Sequence, residues 1–291
     1  MRYYLRNGSL ILRGSFRAAS TGVSGGLSHV SSIISHTVPA DWDHRDPERV
    51  LDGVIAREGL PHDYFGLLTA VEMKNLCVLQ FDFVTVFITA GVSPGENQGG
   101  TINLIICSRE GMSDAALLET IITATEAKIA ALSATGCACS GTPTDAVVVA
   151  CEGEVQHRYA GVLTEAGKRV QAAVRFGVPE ALKRHDGVVS RDRPSFFIYS
   201  RYQGDHWVEW LPEECRYYPC HFPGQRCDFC YCPFYPCCDE SLGQWVESAS
   251  QNGMIWNCSQ CTLLHEPEVA DYLRSHPEAP LGELKAVKKR K

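Results

Sequence analysis

The chain of 291 residues carries 27 basic and 34 acidic side chains, a formal charge of −7, and is 45% hydrophobic. That apolar content is too high for a disordered chain and sufficient for one large core with a smaller one beside it in sequence. No run of about 18 apolar residues exists, and the opening Met1-Arg2-Tyr3-Tyr4 lacks the basic-then-apolar profile of a signal peptide, so a cytoplasmic protein with no membrane partner is expected.

Residues 3–6 and 10–16 flank an Asn7-Gly8 dipeptide and read as a hairpin. A glycine-rich bend, Ser20-Thr21-Gly22-Val23-Ser24-Gly25-Gly26, precedes a strand over 30–39. The polar stretch Asp41-Trp42-Asp43-His44-Arg45-Asp46-Pro47 leads into a helix over 47–58 with its proline in the first turn. Residues 81–90 and 101–107 are apolar on both alternating faces, as interior strands are, and the glycine-rich loop 91–100 is short enough to join antiparallel neighbours.

Ser113 is the expected N-cap of a helix with Asp114 in its first turn. Its apolar face is expected to carry Leu118, Ile122, Thr125, Ile129 and Leu132, which puts Glu126 on the border between core and solvent, where a carboxylate can line a cleft. A third buried strand spans 145–151, a last helix 164–183, and residues 184–194 read as a charged linker. The expected fold is α+β, a layered mixed or antiparallel sheet with packed helices, followed by a small cysteine-rich, metal-stabilised domain. Domain limits of 1–185 and 195–275 follow, with a solvated basic tail over 276–291.

Charge is unevenly distributed. Residues 195–275 hold four basic against eleven acidic groups, which speaks against nucleic acid as a partner of that segment. Nine of the fourteen cysteines also fall there: Cys215, Cys220, Cys227, Cys230, Cys232, Cys237, Cys238, Cys258 and Cys261. With His221 and His265 they are candidate metal ligands. Cys227 with Cys230, and Cys258 with Cys261, have the two-residue spacing that lets both sulfurs face one tetrahedral ion. In a chain without an export signal, metal thiolates are favoured over disulfides. Two structural zinc ions are expected, with iron–sulfur binding as the lesser alternative and the partition among ligands left open. The interleaved Trp207, Trp210, Tyr217, Tyr218, Phe229, Tyr231, Phe234 and Tyr235 are expected to form a compact core rather than a stacking surface.

Five stretches occur in one order: Gly66-Leu67-Leu68-Thr69-Ala70, Thr89-Ala90-Gly91-Val92-Ser93, Gly100-Thr101-Ile102-Asn103, Thr125-Glu126-Ala127-Lys128 and Gly141-Thr142-Pro143-Thr144-Asp145-Ala146. Together they resemble the adenosylcobinamide amidohydrolase family. Tyr218-Pro219-Cys220-His221 with Cys230-Tyr231-Cys232-Pro233 is similar to the cysteine-rich small domain that accompanies cobalamin-related proteins. The family pattern is departed from at Cys137, Cys139 and Ser35-His36. The resemblance implies hydrolysis of the amide joining aminopropanol to the corrin ring of adenosylcobinamide, giving adenosylcobyric acid and 1-amino-2-propanol in corrinoid salvage. The alternative is a non-catalytic corrinoid carrier with a zinc-finger-like interaction module.

Amide hydrolysis needs an activated water or hydroxyl, donors for the developing oxyanion, and an acid for the leaving amine. Glu126 and Asp145 are candidates for base and acid. Asn103 and the backbone amides of the Gly22–Gly26 bend are candidates for the oxyanion site, and Ser20, Thr21 and Thr144 for a nucleophile. Ser20, Thr21, Gly25, Gly26, Thr69, Gly91, Gly100 and Thr101 are candidate substrate contacts, glycine letting backbone approach a bulky ring. His36 is a candidate cobalt ligand, since cobinamide lacks its own lower base. Against these stand plainer readings: Asp145 capping its own turn, Glu126 in solvent, Thr125 bonded to its own helix and Lys128 snorkelling. No cofactor is inferred for catalysis, and homo-oligomerisation is left open.

Overall fold

The computed structural model describes residues 1–92, 100–137, 139–201, 204–247 and 253–289. The loop centre 93–99, Ser93 of the second family stretch and the last two basic residues lie outside them. The contacts divide the chain into two units, built on Tyr3–Trp210 and Leu211–Lys291.

Asn7 and Gly8, with φ of 49° and 71°, turn β1 (Arg2–Arg6) onto β2 (Ser9–Ser20), as a hairpin of right-twisted strands requires. The glycine bend then returns the chain as β3 (Gly26–Thr37), antiparallel to β2. Pro47 opens α1 (Pro47–Glu58), and Gly59 closes it in the left-handed region. Next come β4 (Tyr64–Thr69), β5 (Cys77–Phe81) and β6 (Val84–Val92). The single strand expected over 81–90 is divided between β5 and β6. Asp82, at φ 52°, turns a tight hairpin between them without the glycine or asparagine that usually marks one.

Strand β7 (Gly100–Ser108) runs antiparallel to β6, as expected, and β8 (Gly111–Met112) follows. The Ser113 hydroxyl accepts from the Ala116 N–H to cap α2 (Asp114–Ala134). Then β9 (Ala146–Cys151), β10 (Val155–His157), α3 (Glu165–His185), β11 (Ser195–Ser200) and β12 (His206–Glu209) complete the first unit. Its main sheet runs β12-β11-β5-β6-β7-β9-β2-β3-β4 with β1 beside β2. Three of these pairings, β11 with β5, β7 with β9 and β3 with β4, are parallel, so the sheet is mixed.

The two faces of the sheet are covered differently. On one, Leu104, Ile106, Val86 and Ile88 pack against α2 and α3. On the other, Leu10, Phe16, Phe65, Phe87, Ile105 and Val148 meet one another together with Met73 of a short helical turn, with no residue of α1, α2 or α3 in this core. Helix α1 closes a smaller cluster through Leu51, Val54 and Ile55.

Helix α2 presents a different face to the core than its apolar periodicity suggested. Leu118, Ile122 and Ile129 are 52%, 58% and 41% exposed, whereas Ala116, Leu117, Thr120, Ala124, Ala127, Lys128 and Ala131 are buried with Leu132. Small side chains let the helix axis approach the sheet and α3, and that close approach outweighs the burial of larger ones. Residues 184 and 185 finish α3 rather than beginning a linker. Arg184 is buried, and its guanidinium meets Glu209 at 2.9 Å and the Ser195 hydroxyl. The main sheet therefore takes in β11 and β12, past the expected limits at 185 and 195.

In the second unit, β13 (Gln244–Glu247) pairs antiparallel with β14 (Met254–Asn257), and α4 (Pro267–Ser275) precedes α5 (Leu281–Lys288). Leu263, Leu264, Val269, Leu273 and Leu284 make its core, with Phe229 and Phe234 against it. The expected aromatic core is only partly present: Tyr217, Tyr218, Tyr231 and Tyr235 are exposed, and Trp207 packs in the first unit on Phe176 and Tyr199. Residues 276–289 are likewise not a frayed segment. Leu284 of α5 is fully buried, and Lys285 bonds Asp239 and Ser241.

Candidate functional site

A cavity of about 390 Å³ opens at one end of the main sheet of the first unit. Its floor comes from the end of β4 and the starts of β7 and β9: Leu67, Leu68, Thr69, Gly100, Thr101, Asn103 and Ala146. Thr21 and Gly22 of the glycine bend, the segment from Val38 to Pro47, and Pro143 with Thr144 form its walls.

Asp145 anchors one wall. Its Oδ1 accepts from the Ile102 N–H at 2.7 Å and the Thr142 hydroxyl at 2.6 Å. Its Oδ2 accepts from the Thr142 N–H at 3.0 Å and from the Lys128 ammonium at 2.5 Å. Both members of the ion pair are about nine-tenths buried. Lys128 therefore does not snorkel; it points from α2 into the carboxylate. Gly141 stands at φ 141°, and a Cβ there would sit 2.4 Å from Asp145 Oδ2 and 2.6 Å from Lys128 Nζ, so only glycine leaves room for the pair. Four donors on two oxygens make this carboxylate the hub that ties α2, β7 and the 141–145 turn together.

Asn103 is buried, and its Nδ2 donates to the Leu68 carbonyl at 2.8 Å while its Oδ1 accepts from the Ala146 N–H at 3.2 Å. One amide hydrogen remains after these two bonds. The Thr101 and Thr144 hydroxyls lie 2.8 Å apart, and Thr144 donates on to the Gly100 carbonyl at 2.9 Å, so Thr101 is the donor between them. The Thr21 hydroxyl accepts from the Val147 N–H at 2.9 Å.

The glycine bend is held from within. Its amides at Thr21, Gly22, Val23 and Gly25 donate to Val147, Ser20, Gly66 and Gly22 respectively, which withdraws them from any oxyanion. Of the residues singled out in the sequence, Asp145, Asn103, Thr144, Thr21, Thr69, Gly100 and Thr101 share the cavity. Ser20, Gly25, Gly26, Gly91 and His36 are outside its lining. His36 bonds the Ser9 hydroxyl at 2.8 Å through Nδ1, and burial followed by the nearby Arg57 charge lowers its pKa. Glu126 is exposed on α2, also outside the lining. Trp42 and His44 line the cavity and were not singled out, because a polar loop carries no periodicity to mark which of its side chains turns inward.

Cys137 and Cys139 are joined in a disulfide just before Gly141. In the second unit the remaining cysteines fall into two neighbourhoods. Burial, then the thiols of Cys227, Cys220 and Cys215, push Cys230 up to about 11. Burial outweighs a backbone bond at Phe234 and, with Cys261, Cys258 and Cys237, pushes Cys232 up to about 11. Gln225 Nε2 stands 3.2 Å from Cys220 Sγ and 3.4 Å from Cys227 Sγ, and turns bring Cys230 N–H to Cys227 O and Cys261 N–H to Cys258 O. Cys238 is exposed, and His265 is buried against the Arg226 carbonyl with His221 beside it. Among the described residues, no three of these groups converge closely enough to hold an ion as they stand.

Comparison with known proteins accords with this layout. Residues 206–288 match the model of the cysteine-rich small domain, and residues 10–190 that of adenosylcobinamide amidohydrolase. An adenosylcobinamide amidohydrolase of Methanosarcina mazei is 39% identical over 196 residues, covering 63% of this chain and 98% of that protein. One of Halobacterium salinarum is 35% identical over 189 residues, covering 58% and 81%. A probable cobalt-factor III C(17)-methyltransferase of Methanothermobacter thermautotrophicus is 43% identical over 63 residues, covering 21% and 17%. With the match spanning most of its length, this chain belongs to the adenosylcobinamide amidohydrolase family.

Proposed function

We propose that this chain hydrolyses the aminopropanol amide of adenosylcobinamide to adenosylcobyric acid and 1-amino-2-propanol in corrinoid salvage. The observation that carries the reading is the convergence of the family stretches on one cavity: three line it, and a fourth supplies Lys128 beneath Asp145. A space of about 390 Å³ takes an amide side arm but not a corrin ring with its adenosyl group, which suits cleavage at the periphery of the ring. Asn103, with an amide hydrogen left over, is suited to donate to the oxyanion. Asp145, saturated by four donors, holds the turn that presents Thr144. The test is incubation of the purified chain with adenosylcobinamide, with both products followed by mass spectrometry. Formation of both supports the reading; intact substrate after binding favours a corrinoid carrier and sinks it.

The cysteine neighbourhoods support two zinc ions, each in a four-thiolate set. Cys215, Cys220, Cys227 and Cys230 would hold one, and Cys232, Cys237, Cys258 and Cys261 the other. The donor chemistry fits: soft sulfur, four per set, each set containing a Cys-x2-Cys turn. When bound, zinc would supply a structural cross-link for a unit with a small core. Two zinc ions per chain by elemental analysis, falling to one in Cys227→Ser and in Cys258→Ser, is the expected result. Iron in place of zinc, or an unchanged count in both variants, would defeat this assignment.

A further inference from the structure

Among the described residues lining the cavity, only Asp145 and His44 carry a carboxylate or an imidazole. Asp145 is committed to Lys128 and three further donors, and a carboxylate so bonded is a poor base because accepting a proton would break its ion pair. Of the hydroxyls, Thr144 donates to Gly100, Thr101 to Thr144, and Thr21 and Thr69 accept from the Val147 and Val71 amides, so none is bonded to a carboxylate or imidazole that could activate it. That leaves water as the nucleophile and one side chain to activate it.

His44 stands on the loop between β3 and α1 and is among the residues lining the cavity, itself exposed to solvent. Its backbone is in the left-handed region at φ 60°, and Asp46 two residues on is there as well at φ 56°. Such angles are uncommon for residues other than glycine, and two so close together set the path of the loop beside the cavity. The Trp42 ring lies 5.0 Å away, tilted by 58°, and backs the imidazole on one side.

We propose that His44 is the general base and acid of this site, an assignment that rests on the amidohydrolase reading. The imidazole takes a proton from water as the water oxygen bonds the amide carbon. As the tetrahedral intermediate collapses and its C–N bond breaks, the imidazolium gives that proton to the departing nitrogen. The products are the carboxylic acid and 1-amino-2-propanol, the acid's proton passing to the amine to leave carboxylate and ammonium, and the imidazole is restored with no other reactant consumed.

The test uses the full chain with two substitutions chosen for the left-handed backbone: His44→Gly, which opens space, and His44→Asn, which tolerates the angle. Unfolding midpoints and adenosylcobinamide binding, read from the corrinoid absorbance, should match wild type in both. Turnover should fall about 100- to 10,000-fold, mostly in kcat, and added imidazole should restore part of it in His44→Gly but none in His44→Asn. Turnover within about threefold of wild type in both variants would overturn the assignment while leaving the amidohydrolase reading intact. A loss that imidazole does not mend and that follows weakened binding would make His44 a substrate contact and overturn it equally. Absence of product from wild-type protein that binds the substrate would overturn both.

Discussion

The pairing of Lys128 with Asp145 spans two elements and was only half visible in sequence. Asp145 as a cap of its own turn is legible because such contacts are local, and its carboxylate accepts from the Thr142 N–H and hydroxyl. The lysine was read as solvated because no periodic pattern records a partner that the fold brings in from a helix. Removing one member of a buried pair leaves the other uncompensated, so Lys128→Met should lose about 3–5 kcal/mol in urea denaturation. Glu209 is a second residue whose role depends on neighbours distant in sequence. Burial raises its carboxyl pKa, but Ser195, Arg191 and Arg184 outweigh burial and hold it below the usual range. A depressed folded-state pKa stabilises fully above the unfolded value of about 4.3 and is lost as pH falls through the folded value. Stability should therefore drop on acidification below about pH 4.3, and Glu209→Gln should flatten that slope when unfolding is followed at several pH values. Trp42 and His44 escaped notice for a different reason: only the loop's path over the floor strands gives them a site to face.

Among the elements, turns and caps were legible, whereas the buried face of α2 and the division of 81–90 between β5 and β6 were not. The Asn7-Gly8 turn, Pro47 at the start of α1 and Ser113 before α2 all lie where their local chemistry placed them. On α2 the pattern of large apolar residues pointed outward, because packing against both sheet and α3 selected alanine on the buried side. Two substitutions separate these faces. Ala127→Leu should destabilise by about 1–3 kcal/mol through overpacking, whereas Ile122→Lys should stay within about 0.5 kcal/mol of wild type in thermal or urea unfolding. Ser113→Ala, which removes the acceptor for the Ala116 N–H, should lose about 1 kcal/mol by the same measurement.

At the scale of the whole molecule the two units rest on different physics. The first has extensive apolar cores on both faces of its sheet, while the second gathers a handful of leucines around α4 and α5 beside nine cysteines. Chelation at neutral pH should therefore lower or abolish a calorimetric transition belonging to the second unit and leave that of the first in place. The mixed sheet was foreseeable from interior-type strands interleaved with helices, but its extent was not, because β11 and β12 follow α3 and pair with a strand more than a hundred residues earlier. That late addition bears on how the enzyme is cut for laboratory use. The family match stops at residue 190, yet β5 owes one of its two neighbours to residues 195–198. A fragment ended at 190 would carry β5 as an open edge lined by Cys77, Val78 and Leu79, a template for strand addition between molecules, and should precipitate on expression. One ended at 210 keeps that edge closed and should remain in solution.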